Sequence, residues 1–258
     1  MTDAVQYEAR DGVATITLNR PEVLNALNDA VMRGLAEALA AARADEAVRA
    51  LLVTGAGRGF SSGADLTTTG VPPADVARLL RERYHPVILG MRDCPKPIVC
   101  AVNGVAAGAG MSLALAGDVV LAARSATFVQ AFARIGLVPD AGSTWFLTRF
   151  AGDARARALA MLAERIDAAQ AQACGLVWAV HDDEALLPEA RRLAAHLATQ
   201  PTRALALIKQ AMSAAPGHTL AQQLELEADL QAQAAATEDF REGVAAFLQK
   251  RAPRFAGR

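Results

Sequence analysis

The stretch PIVCAVNGVAAGAGMSLALAGDVVLAA, Pro97 to Ala123, decides the architecture. Its opening residues, PIVCAV, are a continuous apolar run closed by Asn103-Gly104, which reads as a strand buried on both faces. A glycine-rich bend through Gly108 and Gly110 leads into a helical pattern, and Asp118 then opens a second apolar run, DVVLAA. Strand, helix, strand is α/β order, for which a mostly parallel sheet is expected.

The same grammar extends upstream. ALLVTGAG, Ala50 to Gly57, is another short apolar run ending in glycine. GVATITLNRP, read as the first strand, alternates Val13, Thr15 and Thr17 against Ala14, Ile16 and Leu18 before stopping at Asn19-Arg20-Pro21. Asn28 is a suitable helix N-cap with Asp29 favourable in the first turn, and Val31, Leu35 and Leu39, with Ala38 and Ala42, give that helix one apolar face. No repeat of fixed period occurs in the sequence.

Downstream of Gln200-Pro201, alanine, leucine, glutamine and glutamate dominate, strand signals vanish, and Leu220 to Ala236 reads as one long helix. The expected division is an α/β core over residues 1–195 and a helical C-terminal region over 196–258. The apolar content of that second part predicts a partner subunit.

Composition narrows the function classes. With 258 residues, 53% hydrophobic and 21% charged, the chain packs a substantial core and is not a disordered one. A formal net charge of −1 gives no basis for general nucleic-acid binding. There is no apolar run of about 18 residues and no signal-peptide pattern at MTDAVQYEARDG. Cys94, Cys100 and Cys174 form no CxxC pair and leave an odd thiol, as expected of reduced, buried cysteines in a cytoplasmic protein.

Most familiar chemistries fail on spacing. GAGRGFSSGADL, Gly55 to Leu66, follows a strand but lacks the Gly-Lys-Ser/Thr of a P-loop and the G-x-G-x-x-G register. Ser112, in Gly110-Met111-Ser112-Leu113-Ala114, is too far beyond its strand to be a nucleophile elbow and has alanine where the second glycine belongs. The four histidines are scattered without H-x-x-x-H, so no metal site is expected. The two glycine-rich stretches do bring free backbone N–H groups near a strand end, which suits an oxyanion. Close helix–sheet packing would call for the same small residues.

One carboxylate stands out. In GLVPDAGSTW, Gly136 to Trp145, Asp140 has apolar neighbours and no adjacent cation. If the turn is buried, loss of hydration raises the carboxyl pKa and makes Asp140 a competent proton carrier. If it is exposed, Asp140 is a turn former. The local sequence leaves both open.

Taken together and in order, TLNRPEVLNAL, LLVTGAGRGFSSGADL, PKPIVCAVNGVAAGAG and GLVPDAGSTW resemble the crotonase (enoyl-CoA hydratase/isomerase) superfamily over essentially the whole chain. FARIGLVPDAGSTWFLTRFAG, HLATQPTRALALIKQA and REGVAAFLQKRAPRFAGR are most similar to the branch that isomerises ring-1,2-epoxyphenylacetyl-CoA in bacterial phenylacetate degradation. The resemblance implies a spiral of ββα turns with a helical C-terminal trimerisation region, assembled as a trimer or a dimer of trimers. It implies an acyl-CoA thioester substrate, with coenzyme A as part of the substrate and no other cofactor. The thioester oxygen would sit between the backbone N–H groups of Ala64 and Ala109.

The resemblance also implies where the chain departs from a hydratase. The two glutamates that activate water in hydratases would fall at Ser112 and Phe132, neither of which exchanges protons at neutral pH. Isomerase branches place an aspartate after G-L-V-P, here Asp140. Coenzyme A would run along Leu24, Ala26, Asp65 and Leu66, with Phe247 and Lys250 approaching from a neighbouring subunit. Phe132, Leu137 and Trp145 would wall the acyl pocket, although ordinary core packing accounts for each singly. A dehalogenase-type route, with Asp140 as nucleophile and His85 assisting, is the second enzymatic reading. A non-catalytic acyl-CoA-binding protein is the third.

Overall fold

A computed structural model describes residues 3–68 and 72–258. Residues 69–71, part of the 67–83 segment on which acyl-pocket shape is expected to depend, lie outside the described residues.

The large sheet holds β1 (Val5–Arg10), β2 (Val13–Leu18), β3 (Ala50–Gly55), β5 (Ile98–Val102), β7 (Val119–Ala123) and β10 (Ala179–His181), in that spatial order. All neighbours pair in parallel except β1 with β2. GVATITL is therefore the second strand, not the first. Asp11 (φ 51°) and Gly12 (φ 80°) turn β1 back onto it, the left-handed pair that an Asp-Gly hairpin turn supplies. Every residue of β3 and β5 is buried, as their unbroken apolar runs require, whereas β2 alternates between half-buried and buried.

A small second sheet holds β4 (Gly59–Ser61), β6 (Val105–Ala107), β8 (Thr127–Val129) and β9 (Ile166–Asp167). Each of β3, β5 and β7 is followed at once by its counterpart in the small sheet, β4, β6 and β8. This is the strand-pair repeat of the expected spiral. The bends between paired strands are tight: a Cβ on Gly104 would lie 2.1 Å from the Arg58 carbonyl oxygen, so only glycine fits there.

Helices fill in around the sheets. α1 (Asp29–Ala44) begins at Asn28, whose Oδ1 accepts from Val31 N at 3.0 Å. Its C-terminal end is closed by Lys96, whose buried Nζ donates to the Ala42 and Asp45 carbonyls at 2.6 and 2.7 Å. Further along come α2 (Pro73–Leu79), a π-helical turn over Leu80–Tyr84 and α3 (His85–Arg92). α4 (Ala109–Leu115), α5 (Ser143–Phe150), α6 (Asp153–Leu162) and α7 (Ala168–Ala173) lead to α8 (Asp183–Ala198), which packs across β3, β5 and β7. The remainder, α9 (Thr202–Ala214), α10 (Leu220–Ala235) and α11 (Glu238–Leu248), is helical. Among the described residues no helix is long and apolar enough to cross a membrane.

Candidate active site

Two backbone segments meet at the mouth of the small sheet. The first, Arg20 to Leu27, is set by Asn25, a fully buried residue with φ 55°. Its side chain donates to the Ala56 and Gly59 carbonyls at 3.0 and 2.7 Å and accepts from Arg20 N at 2.8 Å. Sequence reasoning misses this rivet; its signal is the polar Asn25 between Leu24 and Ala26, where the chain turns back. The segment then pairs with Ser62–Asp65. Ser62 N donates to Leu24 O, Leu27 N to Gly63 O, and Asp65 N to Leu27 O, at 2.8, 2.7 and 3.0 Å. Leu24, Ala26, Ala64, Asp65 and Leu66 are thus brought together by main-chain bonds.

The Asp65 carboxylate turns inward. Thr67 donates to it from its hydroxyl and its N–H, and Arg20 donates at 2.8 Å; the Thr67 hydroxyl first, then Arg20, hold the acid below its ordinary pKa. Leu66, next in the chain, is half exposed.

Gly63 carries the second contact of the strap. With φ 89°, a Cβ on Gly63 would stand 2.6 Å from the Ala107 carbonyl oxygen and 3.5 Å from Ala109 N. The Gly63–Ala64 peptide therefore lies against the start of α4. Gly108, the residue before that helix, has φ 50° and donates to Val129 O, while the Ala109 N–H that follows has no acceptor among the described residues. The Ala64 N–H has none either. Two unpaired N–H groups on adjoining straps are what an oxyanion hole needs. The packing explanation holds beside it at Gly110, where a Cβ would strike Ser61 at 2.6 to 2.7 Å.

Asp140 sits between the two alternatives left by the sequence, in a turn whose carboxyl is half-buried. Burial alone pushes its pKa up to about 6, because the charged form loses hydration and no cation compensates. Oδ1 is enclosed and without a hydrogen-bond partner among the described residues. The turn itself is held by its main chain: Asp140 O accepts from Ser143 N at 2.9 Å and from the Ser112 hydroxyl at 3.2 Å. Ser112 therefore ties the helix of Ala109 to the turn of Asp140. Its hydroxyl oxygen also lies 3.3 Å from Gly108 O and 2.5 Å from the Ser143 hydroxyl.

The remaining expected residues divide. The buried Phe132 ring packs at Gly108, within 3.7 Å of where a Cβ would stand. Leu137, whose N–H donates to Phe132 O at 3.0 Å, is half exposed. Trp145 lines a different space, a cavity of about 430 Å³ bounded by His85, Ile88, Leu89, Arg92, Ala141 and Gly142. Its ring is also stacked by Arg149, whose Cζ is 4.0 Å from the centroid. His85 is exposed at the rim of this cavity. Phe247 is 82% exposed and lines an apolar groove of the C-terminal helices, and Lys250 follows α11 with φ 53°. Among the described residues, those lining the groove of Phe247 do not include Asp140. Among the described residues no group of three or more His, Cys, Asp or Glu is arranged to hold a metal.

The model of the family described as enoyl-CoA hydratase/isomerase matches residues 8–258. The chain belongs to the enoyl-CoA hydratase/isomerase family. It is 50% identical to the 1,2-epoxyphenylacetyl-CoA isomerase of Escherichia coli (strain K12), with 100% of both chains covered. It is 39% identical to the 2,3-dehydroadipyl-CoA hydratase of the same organism, covering 95% of this chain and 96% of that one. The crystal structure of an enoyl-CoA hydratase from Polaromonas sp. JS666 superposes with a TM-score of 0.92 at 37% identity, over 97% of this chain and 99% of the other. The family is one of enzymes, and this α/β member carries its fold from end to end.

Proposed function

We propose that this enzyme is an acyl-CoA isomerase in which Asp140 is the proton shuttle and the Ala64 and Ala109 N–H groups hold the thioester oxygen. The observation that carries the reading is the Asp140 carboxylate: enclosed, unpaired at Oδ1 among the described residues and pushed up to about 6 by burial alone. A carboxyl tuned toward neutrality can take a proton and return it. The positions aligned with the hydratase glutamates hold a buried serine, Ser112, and a buried phenylalanine, Phe132. That favours isomerisation over hydration.

In the proposed cycle the two N–H groups stabilise the enolate formed as Asp140 removes the α-proton, each donor being worth roughly 3–4 kcal/mol. Asp140 then returns the proton at a different carbon. On a 3-enoyl thioester this moves the double bond to the 2-position. On ring-1,2-epoxyphenylacetyl-CoA, the substrate class suggested by the Escherichia coli relative, the same transfer accompanies ring expansion to an oxepin thioester. Coenzyme A enters as part of the substrate, and this chemistry calls for no further cofactor. The exposed Phe240, Phe247 and Leu248 on α11 support a homo-oligomer that would bring Phe247 and Lys250 to a neighbour's coenzyme A.

The test is Asp140→Asn, assayed on a 3-enoyl-CoA and on the epoxide thioester after its fold is checked by circular dichroism. Loss of turnover and of α-hydrogen exchange in D₂O is expected; near-parental turnover eliminates Asp140 as shuttle. The rim position of His85 keeps the dehalogenase-type route testable. In a single turnover in H₂¹⁸O, label appearing in Asp140 would mark a nucleophilic carboxylate instead.

A further inference from the structure

Tyr84 closes the π-helical turn Leu80–Tyr84, between α2 and α3. Single π turns of this kind occur often at functional sites. By packing alone Tyr84 is a core residue, 6% exposed and on the same helical face as Val87, Ile88 and Met91. Its hydroxyl sets it apart. It donates to the Leu27 carbonyl at 3.1 Å, and that carbonyl already accepts from Asp65 N at 3.0 Å. The bond is therefore not needed to satisfy an otherwise orphaned backbone group.

Its effect is on position. Leu27 N donates to Gly63 O and Leu27 O accepts from Asp65 N, so Leu27 grips the strap on either side of Ala64. Tyr84 fixes the Leu27 carbonyl from the interior, while Gly63 abuts Ala107 and Ala109 on the other side. The hydroxyl also feels the charges of both acids of the site. Burial first, then Asp140, then Asp65 push it up to about 12, so it stays a neutral donor while Asp140 titrates.

We propose that Tyr84 is a positioning residue of the isomerase site, whose hydroxyl acts through the Leu27 carbonyl to aim the Ala64 N–H at the thioester oxygen. This rests on the oxyanion assignment made under Proposed function. A phenylalanine would fill the same volume and lack only that constraint. No local pattern announces this role, because an aromatic at helical spacing from apolar neighbours reads as core.

The experiment is Tyr84→Phe in the full-length protein. Three quantities are read: Tm, the steady-state constants kcat and KM with a 3-enoyl-CoA substrate, and the infrared carbonyl stretch of bound ¹³C=O-butyryl-CoA. Tm is expected to stay within about 2 °C and KM within about threefold. kcat should fall about ten- to a hundredfold, as for weakening one oxyanion donor, and the red shift of the bound carbonyl should shrink. An unchanged carbonyl shift, or a kcat within about twofold of the parent, overturns the proposal. If Tyr84→Phe does not fold, 3-fluorotyrosine at position 84 keeps the packing and sharpens the donor; a carbonyl shift that ignores it overturns the proposal equally. Failure of the underlying reading looks different, since then the parental protein itself shows no red shift.

Discussion

The Ser112 hydroxyl donates to the main-chain carbonyl of Asp140 at 3.2 Å, joining the helix that starts at Ala109 to the turn that carries the carboxylate. In the proposed cycle, one side chain thus spaces the oxyanion donor Ala109 from the proton carrier Asp140. Ser112→Ala leaves Asp140 O with its bond from Ser143 N but removes both the contact to Asp140 O and the hydroxyl pair with Ser143, so the turn persists without its side-chain link to α4. Stability is expected to fall by about 1 kcal/mol and kcat by more than that bond alone implies, because misplacement of reacting groups is costly. Thermal melts, combined with steady-state rates of isomerisation on a 3-enoyl-CoA, check this. A parental kcat in Ser112→Ala would separate the two parts of the site.

The pH dependence follows from Asp140. As the proposed shuttle its carboxyl must be ionised to accept the α-proton, and burial pushes its pKa up to about 6. kcat/KM is therefore expected to rise about tenfold per pH unit below that value and to level off above it. The inflection should vanish in Asp140→Asn, whose residual activity should be flat over the same range. Rates measured across that inflection, from acid to mildly alkaline buffer, decide it, and an inflection that survives the substitution assigns the titration to another group.

Much of this is legible in the sequence, for identifiable reasons. Strands buried on both faces, such as β3 and β5, announce themselves as unbroken apolar runs, and α1 does so through Asn28 and its apolar face. Backbone donors leave Ala64 and Ala109 anonymous, but the glycines that make room for them are visible: Gly63 and Gly108 both adopt positive φ. β1 escapes notice because only Val5 and Tyr7 of VQYEAR turn from solvent, so the alternation is too weak to read. Tyr84 and Asn25 escape it because their roles are long-range hydrogen bonds, which no local pattern encodes.

The same burial that tunes Asp140 costs stability. A carboxyl whose folded pKa is raised from 3.8 to about 6 binds its proton more tightly in the folded state. Its contribution is fully present below the unfolded value and is lost as pH rises through about 6. Asp140→Asn, neutral throughout, escapes that loss. Relative to the parent it is expected to gain on the order of 2 kcal/mol at about pH 8 and to lose that advantage near the unfolded value. Urea unfolding at the two pH values measures the difference; an advantage that does not depend on pH would show that it does not arise from the carboxyl charge.

Gly63→Ala tests the strap without touching any side chain of the site. The new methyl would lie 2.6 Å from the Ala107 carbonyl oxygen, at a residue with φ 89°, so the peptide carrying the Ala64 N–H must move away from Ala109. Loss of one aligned donor lowers kcat about a hundred- to a thousandfold. A double variant with Asp140→Asn should lose little more than Asp140→Asn alone, since both act on enolate formation. Losses that multiply in the double variant would place the strap outside the proton-transfer step.

The C-terminal tail is the last element whose attachment can be predicted. Asp239, 3% exposed in the first turn of α11, accepts from Ala256 N at 2.6 Å and Gly257 N at 2.8 Å, and its own N–H donates to Arg258 O at 3.1 Å. From the other side Arg49 donates to Phe255 O at 2.8 Å, to Gln200 O at 2.6 Å and to the Thr202 hydroxyl at 3.0 Å. The tail therefore clamps α11 to the beginning of α9, and with it the orientation of Phe247 and Lys250. Asp239→Ala removes two charge-assisted bonds and should cost about 2–4 kcal/mol, with Asp239→Asn costing less. Trypsin should then cut after Arg251 and Arg254 at least about tenfold faster, as local opening of a few kcal/mol less predicts. Cleavage at the parental rate, followed by mass spectrometry, would show that Arg49 holds the tail without Asp239.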